Sequence, residues 1–338
     1  MPQSAPTIRL NDRAARRCAS LVADAGRLRI ASSKCPSGAT LVDCGLESPG
    51  GLEAGIMLAE ICCADLARVR IVPSRQDVWD GPAVQVTTDH PLAACMASQY
   101  AGWQVAGDDF FAMGSGPMRA AAGREELFQR IGHRESPQCA VGVLETRQFP
   151  PPAVCGDLAD KCGVPPAGLT LLLAPTASQA GTVQVVARTV ETALHKLDTL
   201  GFDLSRVESG WGIAPLPPVA AGDLEAIGRT NDAVLYGGEV LLWVRGDDPS
   251  LESIGPKVPS SASPDHGRPF AEVFAAFDRD FYKIDPHLFS PAVVTFCNLD
   301  TGRTFHFGQR LPRVIHESFF HDGISPAFRE NGVSPFVV

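Results

Sequence analysis

The chain has 338 residues, 45% of them hydrophobic and 20% charged, a composition typical of a soluble globular protein long enough for two domains. Its 29 lysines and arginines against 38 aspartates and glutamates give a formal net charge of −9, which argues against nucleic acid or an anionic membrane as a partner. No apolar run is as long as a membrane span, and Met1–Ser20 lacks the apolar core of a signal peptide, so we expect a cytoplasmic protein.

Hydrophobic periodicity and turn residues predict alternating helices and strands in the first half of the chain. The predicted helices cover residues 9–31, Gly51–Ala67, a segment from Asp89-His90-Pro91 to about Gly102, and one that starts at Gly114–Pro117. The predicted strands are Ala39–Cys44, Arg70–Pro73, Ala83–Thr88, Gln104–Phe111 and Ala140–Thr146. The proline-rich stretch Gln148–Val154 is the predicted boundary between a domain of residues 1–150 and one of residues 151–338.

The second half repeats the alternation, which predicts an α+β (mixed α/β) protein of two domains. Leu169–Ala174 is a predicted strand, followed by a helix over Gly181–Leu200 with Thr182 as N-cap and Gly201 as its stop. Later predictions are a loop at Ala214–Pro218, a helix from about Asp223, a strand Glu239–Arg245, a loop over 246–269, a helix Pro269–Phe277, and a hairpin of Ala292–Asn298 with Arg303–Phe307.

The cysteines and histidines do not have the spacing of a metal site. The ten cysteines include no Cys-x-x-Cys pair, and most lie in apolar runs, where cysteine behaves as a small hydrophobic residue. His316 and His321 are five residues apart and belong to no His-Glu-x-x-His helix. We therefore expect free structural thiols and no metal. The sequence also lacks the glycine-rich phosphate loop of nucleotide-binding enzymes.

Two glycine-containing segments have both a functional and an ordinary interpretation. In Gly114-Ser115-Gly116-Pro117-Met118-Arg119, backbone N–H groups and Arg119 are suited to anchor an anion or a carbonyl group, and the ordinary alternative is a tight turn followed by a surface arginine. Gly237-Gly238 allow the close approach of a planar ligand, or simply a sharp bend. The residues alone leave both alternatives open.

The predicted helix Gly181–Leu200 carries Arg188 and Glu191 one turn apart, beside its apolar face. A carboxylate next to a fixed guanidinium can activate water, but the same spacing also describes an ordinary surface ion pair worth a few tenths of a kcal/mol. His195 extends this row and needs no role. The helix alone therefore does not decide between a catalytic pair and a surface pair.

Several long strings resemble the methenyltetrahydromethanopterin cyclohydrolase family of methanogenic archaea and methylotrophic bacteria. They include Ala187–Glu191, Gln99–Trp103, Asp109–Pro117, Thr230–Gly238, Pro259–Ser263 and Phe281–Asp285, and the resemblance extends over about residues 10–310. It implies the reversible hydrolysis of 5,10-methenyl-tetrahydromethanopterin to the 5-formyl form in one-carbon metabolism, and hence a part in formaldehyde oxidation and methylotrophy. It further implies two domains that flank a substrate cleft, no metal, no permanently bound cofactor, and a homotrimer.

The family's catalytic residues fall on Glu191, as general base and acid, and on Arg188, as the group that tunes it. Further substrate-binding residues are expected to be Tyr100, Trp103 and Phe111 for stacking on the pterin, Ser115 and Arg119 as the anchor, and Asn231 and Asp232 for the polar edge. Tyr100 replaces a lysine of the archaeal members, which favours a bacterial type and a dephospho-tetrahydromethanopterin substrate. The alternatives are a cyclohydrolase or formyl-transferring enzyme for a folate-type pterin, and a non-catalytic pterin-binding protein.

Overall fold

The computed structural model describes residues 8–100, 103–107 and 109–320, which form the predicted α+β fold. Its strands are β1 Ala31–Lys34, β2 Thr40–Asp43, β3 Ala67–Pro73, β4 Pro82–Thr88, β5 Trp103–Gly107, β6 Phe110–Ser115, β7 Ala140–Glu145, β8 Leu169–Ala174, β9 Val207–Pro215, β10 Glu239–Val244, β11 Val293–Asn298 and β12 Thr304–Gly308. Its α-helices are α1 Leu10–Ala23, α2 Ala25–Leu28, α3 Leu52–Cys62, α4 Met118–Ala122, α5 Glu126–Ile131, α6 Pro152–Cys162, α7 Gln179–Val186, α8 Thr189–Thr199, α9 Asp223–Gly237, α10 Asp248–Ile254, α11 Phe270–Ala276 and α12 Pro312–Phe319, and Leu92–Gln99 form a π-helix.

The first six-stranded sheet has the order β1-β2-β8-β7-β6-β5. Its three central strands, β2, β8 and β7, are parallel and almost entirely buried, as apolar runs of this kind usually are. Asp43, Glu145 and Ala174 are the last residues of these strands, so they meet at one edge of the sheet. Polar groups at the carboxyl ends of parallel strands are common places for ligands.

The second six-stranded sheet has the order β12-β11-β10-β9-β4-β3 and is antiparallel except for the pair β10–β11. Buried and half-buried residues alternate along β10, so one face of the sheet packs on the core. That face meets α8, α9 and α12 in a single large apolar cluster, which includes Val190, Leu194, Leu242 and Phe296.

Each sheet contains strands from both sides of residue 150. The strands β3 and β4 precede residue 150 but belong to the second sheet, and β8 follows it but belongs to the first. A domain boundary near residue 150 and a cleft between two domains stay predictions.

Several element predictions need correction. The predicted strand Gln104–Phe111 is a hairpin of β5 and β6, because Ala106 pairs with Phe111 across a turn. The loop predicted over 246–269 contains α10, and the proline-rich boundary segment runs into α6, whose first residue is Pro152, a favourable position for proline. Leu92–Gln99 is a π-helix rather than an α-helix.

The ten cysteines are free, as predicted, and eight of them are buried. Among the described helices, none is both long and apolar enough to cross a membrane.

Candidate active site

The predicted helix Gly181–Leu200 is two helices, α7 and α8, which meet at Ala187 and Arg188. Ser178 caps α7 by accepting a hydrogen bond from the N–H of Gly181, whereas the predicted cap, Thr182, donates its hydroxyl to the carbonyl of Thr176. Arg188 leaves helical geometry at φ −84° and ψ 6°, and α8 then starts at Thr189. Arg188 is therefore the residue that precedes the first turn of α8 and not a residue inside a helix.

Helix α8 lies directly on strand β9 because that strand has glycines where the two meet. A Cβ atom at Gly210 would come 2.8 Å from Cγ1 of Val190, and one at Gly212 would come 2.9 Å from Cγ2 of the same residue. Contacts this close exclude any side chain. Because Val190 precedes Glu191, the close packing of Val190 on these glycines keeps the adjacent Glu191 in the interior.

The Arg188 guanidinium is buried and binds three groups from other elements. Its Nη1 donates to the carbonyl of Gln99 at 2.6 Å, and its Nη2 donates to Oγ of Ser115 at 3.0 Å and to Oε1 of Glu145 at 3.1 Å. A buried arginine with a carboxylate partner is a strong, directional arrangement. The surface ion pair that the helical spacing also allowed is therefore wrong: Arg188 is 6% exposed and its carboxylate partner is Glu145.

Glu191 is 4% exposed and its carboxylate accepts no hydrogen bond from the part of the chain that the structure describes. Burial raises the pKa of Glu191 to about 7, although the cations of Arg188 and Arg119 act in the opposite direction and Glu145 adds to the rise. A carboxyl group with a pKa near neutrality can both take up and release a proton under ordinary conditions, as a general base and acid must.

The Arg119 side chain is fully buried, which excludes the ordinary alternative of a surface arginine after the turn. Its Nε donates to Glu125 at 3.0 Å, its Nη1 donates to the carbonyl of Met96 at 3.1 Å, and its guanidinium lies 4.7 Å from the centre of the Tyr100 ring. The turn that precedes it does form, with Gly116 at φ 91°. Arg119 thus packs against the ring of Tyr100.

Tyr100 also packs against His195, with ring centres 4.7 Å apart and ring planes tilted by 32°. The two rings border a cavity of about 640 Å³ whose other lining residues are Glu125, Glu126, Leu127, Arg130, Asp198 and Thr199. Burial raises the pKa of Tyr100 to about 12 and lowers the pKa of His195, so both rings are neutral near pH 7. His195 had no role assigned from its sequence pattern, and the structure places it at this cavity.

The other predicted binding residues are distributed over two regions. Trp103 in β5 is half-buried against the apolar cluster under the first sheet, and Phe111 in β6 is 58% exposed. Asn231 and Asp232 are in α9, where the Asn231 amide donates to the carbonyl of Ile227 and Asp232 accepts the backbone N–H of Phe270 at 2.7 Å. The structure brings Arg188, Glu191, Ser115, Arg119 and Tyr100 together, and among the described residues no hydrogen bond or ion pair joins Asn231 or Asp232 to them.

Two of the carboxylates near the site, Glu145 and Glu125, are paired with buried arginines. Arg188 is paired with Glu145 and Arg119 with Glu125, which leaves Glu191 as the carboxylate without a hydrogen-bonded cation. Within the described ranges, no group of three or more histidine, cysteine, aspartate or glutamate side chains has the geometry to hold a metal ion. The arrangement is suited to proton transfer at a water molecule by Glu191.

A family model described as Cyclohydrolase (MCH) matches residues 9–319, which is nearly the whole chain. The chain belongs to this family. Among its relatives, proteins named methenyltetrahydromethanopterin cyclohydrolase are 50% identical over 84% of this chain and 86% of the relative in Rhodopirellula baltica, and 48% identical over 94% of both chains in Xanthobacter autotrophicus. A protein of the same name from Methanosarcina mazei is 43% identical over 85% of this chain and 90% of its own.

Sequence reasoning missed Glu145, although a weak signal was present. The predicted strand Ala140–Thr146 is apolar except at its end, where a carboxylate follows five buried residues. A charged residue at the carboxyl end of a buried strand can be recognised as a candidate site residue, but its partner cannot. Arg188 is 43 residues further along the chain, and only the fold joins the two.

Proposed function

We propose that this protein hydrolyses 5,10-methenyl-tetrahydromethanopterin, reversibly, to 5-formyl-tetrahydromethanopterin. Membership of the cyclohydrolase family and the names of its relatives support the substrate. The observation that supports the chemistry is the buried carboxylate of Glu191, which has a pKa of about 7 and no hydrogen-bonded cation of its own.

The substrate carbon needs little activation because the methenyl bridge between two nitrogens is a cationic amidinium. In the forward direction, the oxygen of a water molecule bonds to this carbon while Glu191 takes a proton from the water, and the C=N electron pair moves to nitrogen. Protonated Glu191 then gives its proton to N10. The C–N10 bond breaks with its electrons going to nitrogen, the carbonyl forms, and the hydroxyl proton is released to solvent.

The surrounding side chains have separate parts in this proposal. Arg188 biases the charge of Glu191 through space rather than by holding its carboxylate, because its own hydrogen bonds go elsewhere. The rings of Tyr100, Trp103 and Phe111 stack on the pterin, Ser115 and Arg119 anchor it, and Asn231 and Asp232 bind its polar edge. The substrate carries the reacting carbon, so no permanently bound cofactor is needed.

The test is the loss of the methenyl absorbance when the purified protein is mixed with methenyl-tetrahydromethanopterin, its dephospho form, or methenyl-tetrahydrofolate. We expect turnover with the methanopterin substrates and at least ~100-fold lower kcat/KM with the folate, since a pocket built for one ligand's polar groups rejects another strongly. Preference for the folate would establish the folate-type alternative. Tight binding without turnover would establish a pterin-binding protein.

The proposal includes a cytoplasmic homotrimer that serves one-carbon metabolism in formaldehyde oxidation and methylotrophy. Its support is membership of the family, with relatives such as the protein of Methylobacillus flagellatus that is 47% identical over 88% of this chain. Sedimentation of the purified protein at several concentrations gives the number of subunits directly, and a monomer at all of them would exclude the trimer.

A further inference from the structure

Glu145 occupies a fixed position at the end of a buried strand. It is the last residue of β7, and its backbone pairs with Ala174 of β8 on one side and with Met113 of β6 on the other. Its side chain is 20% exposed and its carboxylate lies 3.1 Å from Nη2 of Arg188. A strand fixed on both sides holds the direction of this carboxylate firmly.

Both Nη atoms of the Arg188 guanidinium are bound, whereas its Nε is buried without a hydrogen-bond partner among the described residues. Nη1 is committed to the Gln99 carbonyl, and Nη2 to Ser115 and Glu145. No ion pair within 4 Å joins Arg188 to Glu191, although the two are one helical turn apart on the described chain. The hydrogen bonds of the two Nη atoms therefore go to Gln99, Ser115 and Glu145 and not to Glu191.

We propose that Glu145 is a positioning residue for the reaction: it holds Arg188 away from Glu191 and neutralises its charge, so that Glu191 stays free to exchange a proton with water. This inference rests on the proposed function of Glu191 as general base and acid. It also accounts for how an arginine can be tolerated beside a cationic substrate, because the guanidinium charge is already matched by a carboxylate.

The charged groups that act on Glu191 are Arg188, Arg119 and Glu145, and burial raises the pKa of Glu145 itself against the opposing effect of Arg188. The cations are Arg188 and Arg119, and both lower the pKa of Glu191. Burial and the negative charge of Glu145 raise it, with the result of about 7. Two further groups interact electrostatically with Glu191: the pKa values of Cys95 and Tyr100 are raised by burial first and by the negative charge of Glu191 second.

The decisive variant is Glu145→Gln, which keeps the shape of the side chain and removes its charge. Because the unmatched Arg188 then favours the anionic form of Glu191, the pKa of Glu191 falls. We expect the acidic limb of the pH profile of kcat/KM, where activity rises with pH, to move to lower pH by about one unit or more. At pH 8 we expect kcat to fall by roughly tenfold, because a less basic carboxylate is a weaker base.

Two matched variants separate positioning from mere structure. Glu145→Asp keeps the charge but shortens the side chain, so we expect a smaller shift of the limb in the same direction. Glu53→Gln makes the same chemical change at an exposed glutamate of α3 and is expected to leave the profile unchanged. Should Glu145→Gln not fold, the shift in Glu145→Asp decides the question: a limb at the wild-type position overturns the inference.

The outcomes also distinguish this inference from the proposed function. An unmoved limb in folded Glu145→Gln, combined with an inactive Glu191→Gln, overturns the role of Glu145 and leaves the function of Glu191 intact. If Glu191→Gln itself keeps turnover within about tenfold of wild type, the base assignment fails first. A purely structural role of Glu145 predicts a lower melting temperature without a shift of the limb.

Discussion

Glu191 and Asp232 are two buried carboxyl groups whose surroundings differ. Burial raises the pKa of each to about 7. Glu191 accepts no hydrogen bond from the described residues and lies among Arg188, Arg119 and Tyr100. Asp232, in contrast, accepts the backbone N–H of Phe270 at 2.7 Å, and its charged neighbours are carboxylates of α11 and α12.

The comparison shows that a raised pKa alone does not identify a proton-transfer group. A carboxylate that accepts the first N–H of a helix satisfies a backbone donor that would otherwise be unpaired, which is a structural task. A carboxylate that is buried without such a bond costs stability, and active sites are where that cost is usually found. The following variants separate the two carboxyl groups.

The largest effect is expected from Glu191→Gln. Without a proton acceptor at this position, we expect kcat to fall by about 10²- to 10⁴-fold, with a much smaller change in KM. The measurement is the rate of loss of the methenyl absorbance under substrate saturation. Glu53→Gln is the control, and turnover within tenfold of wild type in Glu191→Gln would show that another group is the base.

The second effect concerns stability at Asp232. Asp232→Ala leaves the N–H of Phe270 without its acceptor, so we expect the free energy of unfolding to fall by about 1–3 kcal/mol. Asp232→Asn keeps an oxygen for this bond and is expected to lose less. Denaturant unfolding of both variants gives the difference. If Asp232→Asn is as stable as wild type but its KM rises tenfold or more, the predicted contact of Asp232 with the pterin is supported instead.

The third effect is the dependence of stability on pH. The folded protein holds a proton on Glu191 up to a pKa of about 7, whereas the ordinary value is 4.5, so the folded state binds more protons between these values. The free energy of unfolding therefore falls as pH rises through this range, because deprotonation leaves a buried charge.

Glu191→Gln removes this contribution. We expect its melting temperature to exceed that of wild type by about 2–5 °C at pH 8, and the difference to vanish near pH 4. A difference that is the same at both pH values would contradict an ionised, buried Glu191 in the wild-type protein.

The smallest effect is expected at Phe111, which is 58% exposed on β6. If its ring stacks on the pterin, Phe111→Leu raises KM by about threefold to tenfold and leaves kcat nearly unchanged, because the contact is equally strong in the ground and transition states. Phe149→Leu, at another partly exposed phenylalanine, is the matched control. Equal KM values for both variants would remove Phe111 from the binding site.

The sequence by itself determined the fold class, the family and the identity of most elements. Long apolar runs such as Leu169–Ala174 became strands with the predicted bounds, and the helix from Asp223 and the hairpin of β11 and β12 also formed. These features depend on local periodicity and turn residues, which a single sequence contains. That Arg188 and Glu191 lie near each other could likewise be predicted from their spacing in the sequence.

Only the tertiary structure decided what these two residues touch. Arg188, at the break between α7 and α8, binds Glu145. The glycines of β9 allow α8, which carries the buried Glu191, to pack closely on that strand. Both features depend on contacts between segments that are distant in the sequence. In the sequence each is marked only by a single carboxylate or glycine, not by a repeating hydrophobic pattern. Burial and charge pairing, which set the pKa of Glu191, arise from such long-range contacts, so spacing along the chain could not supply them.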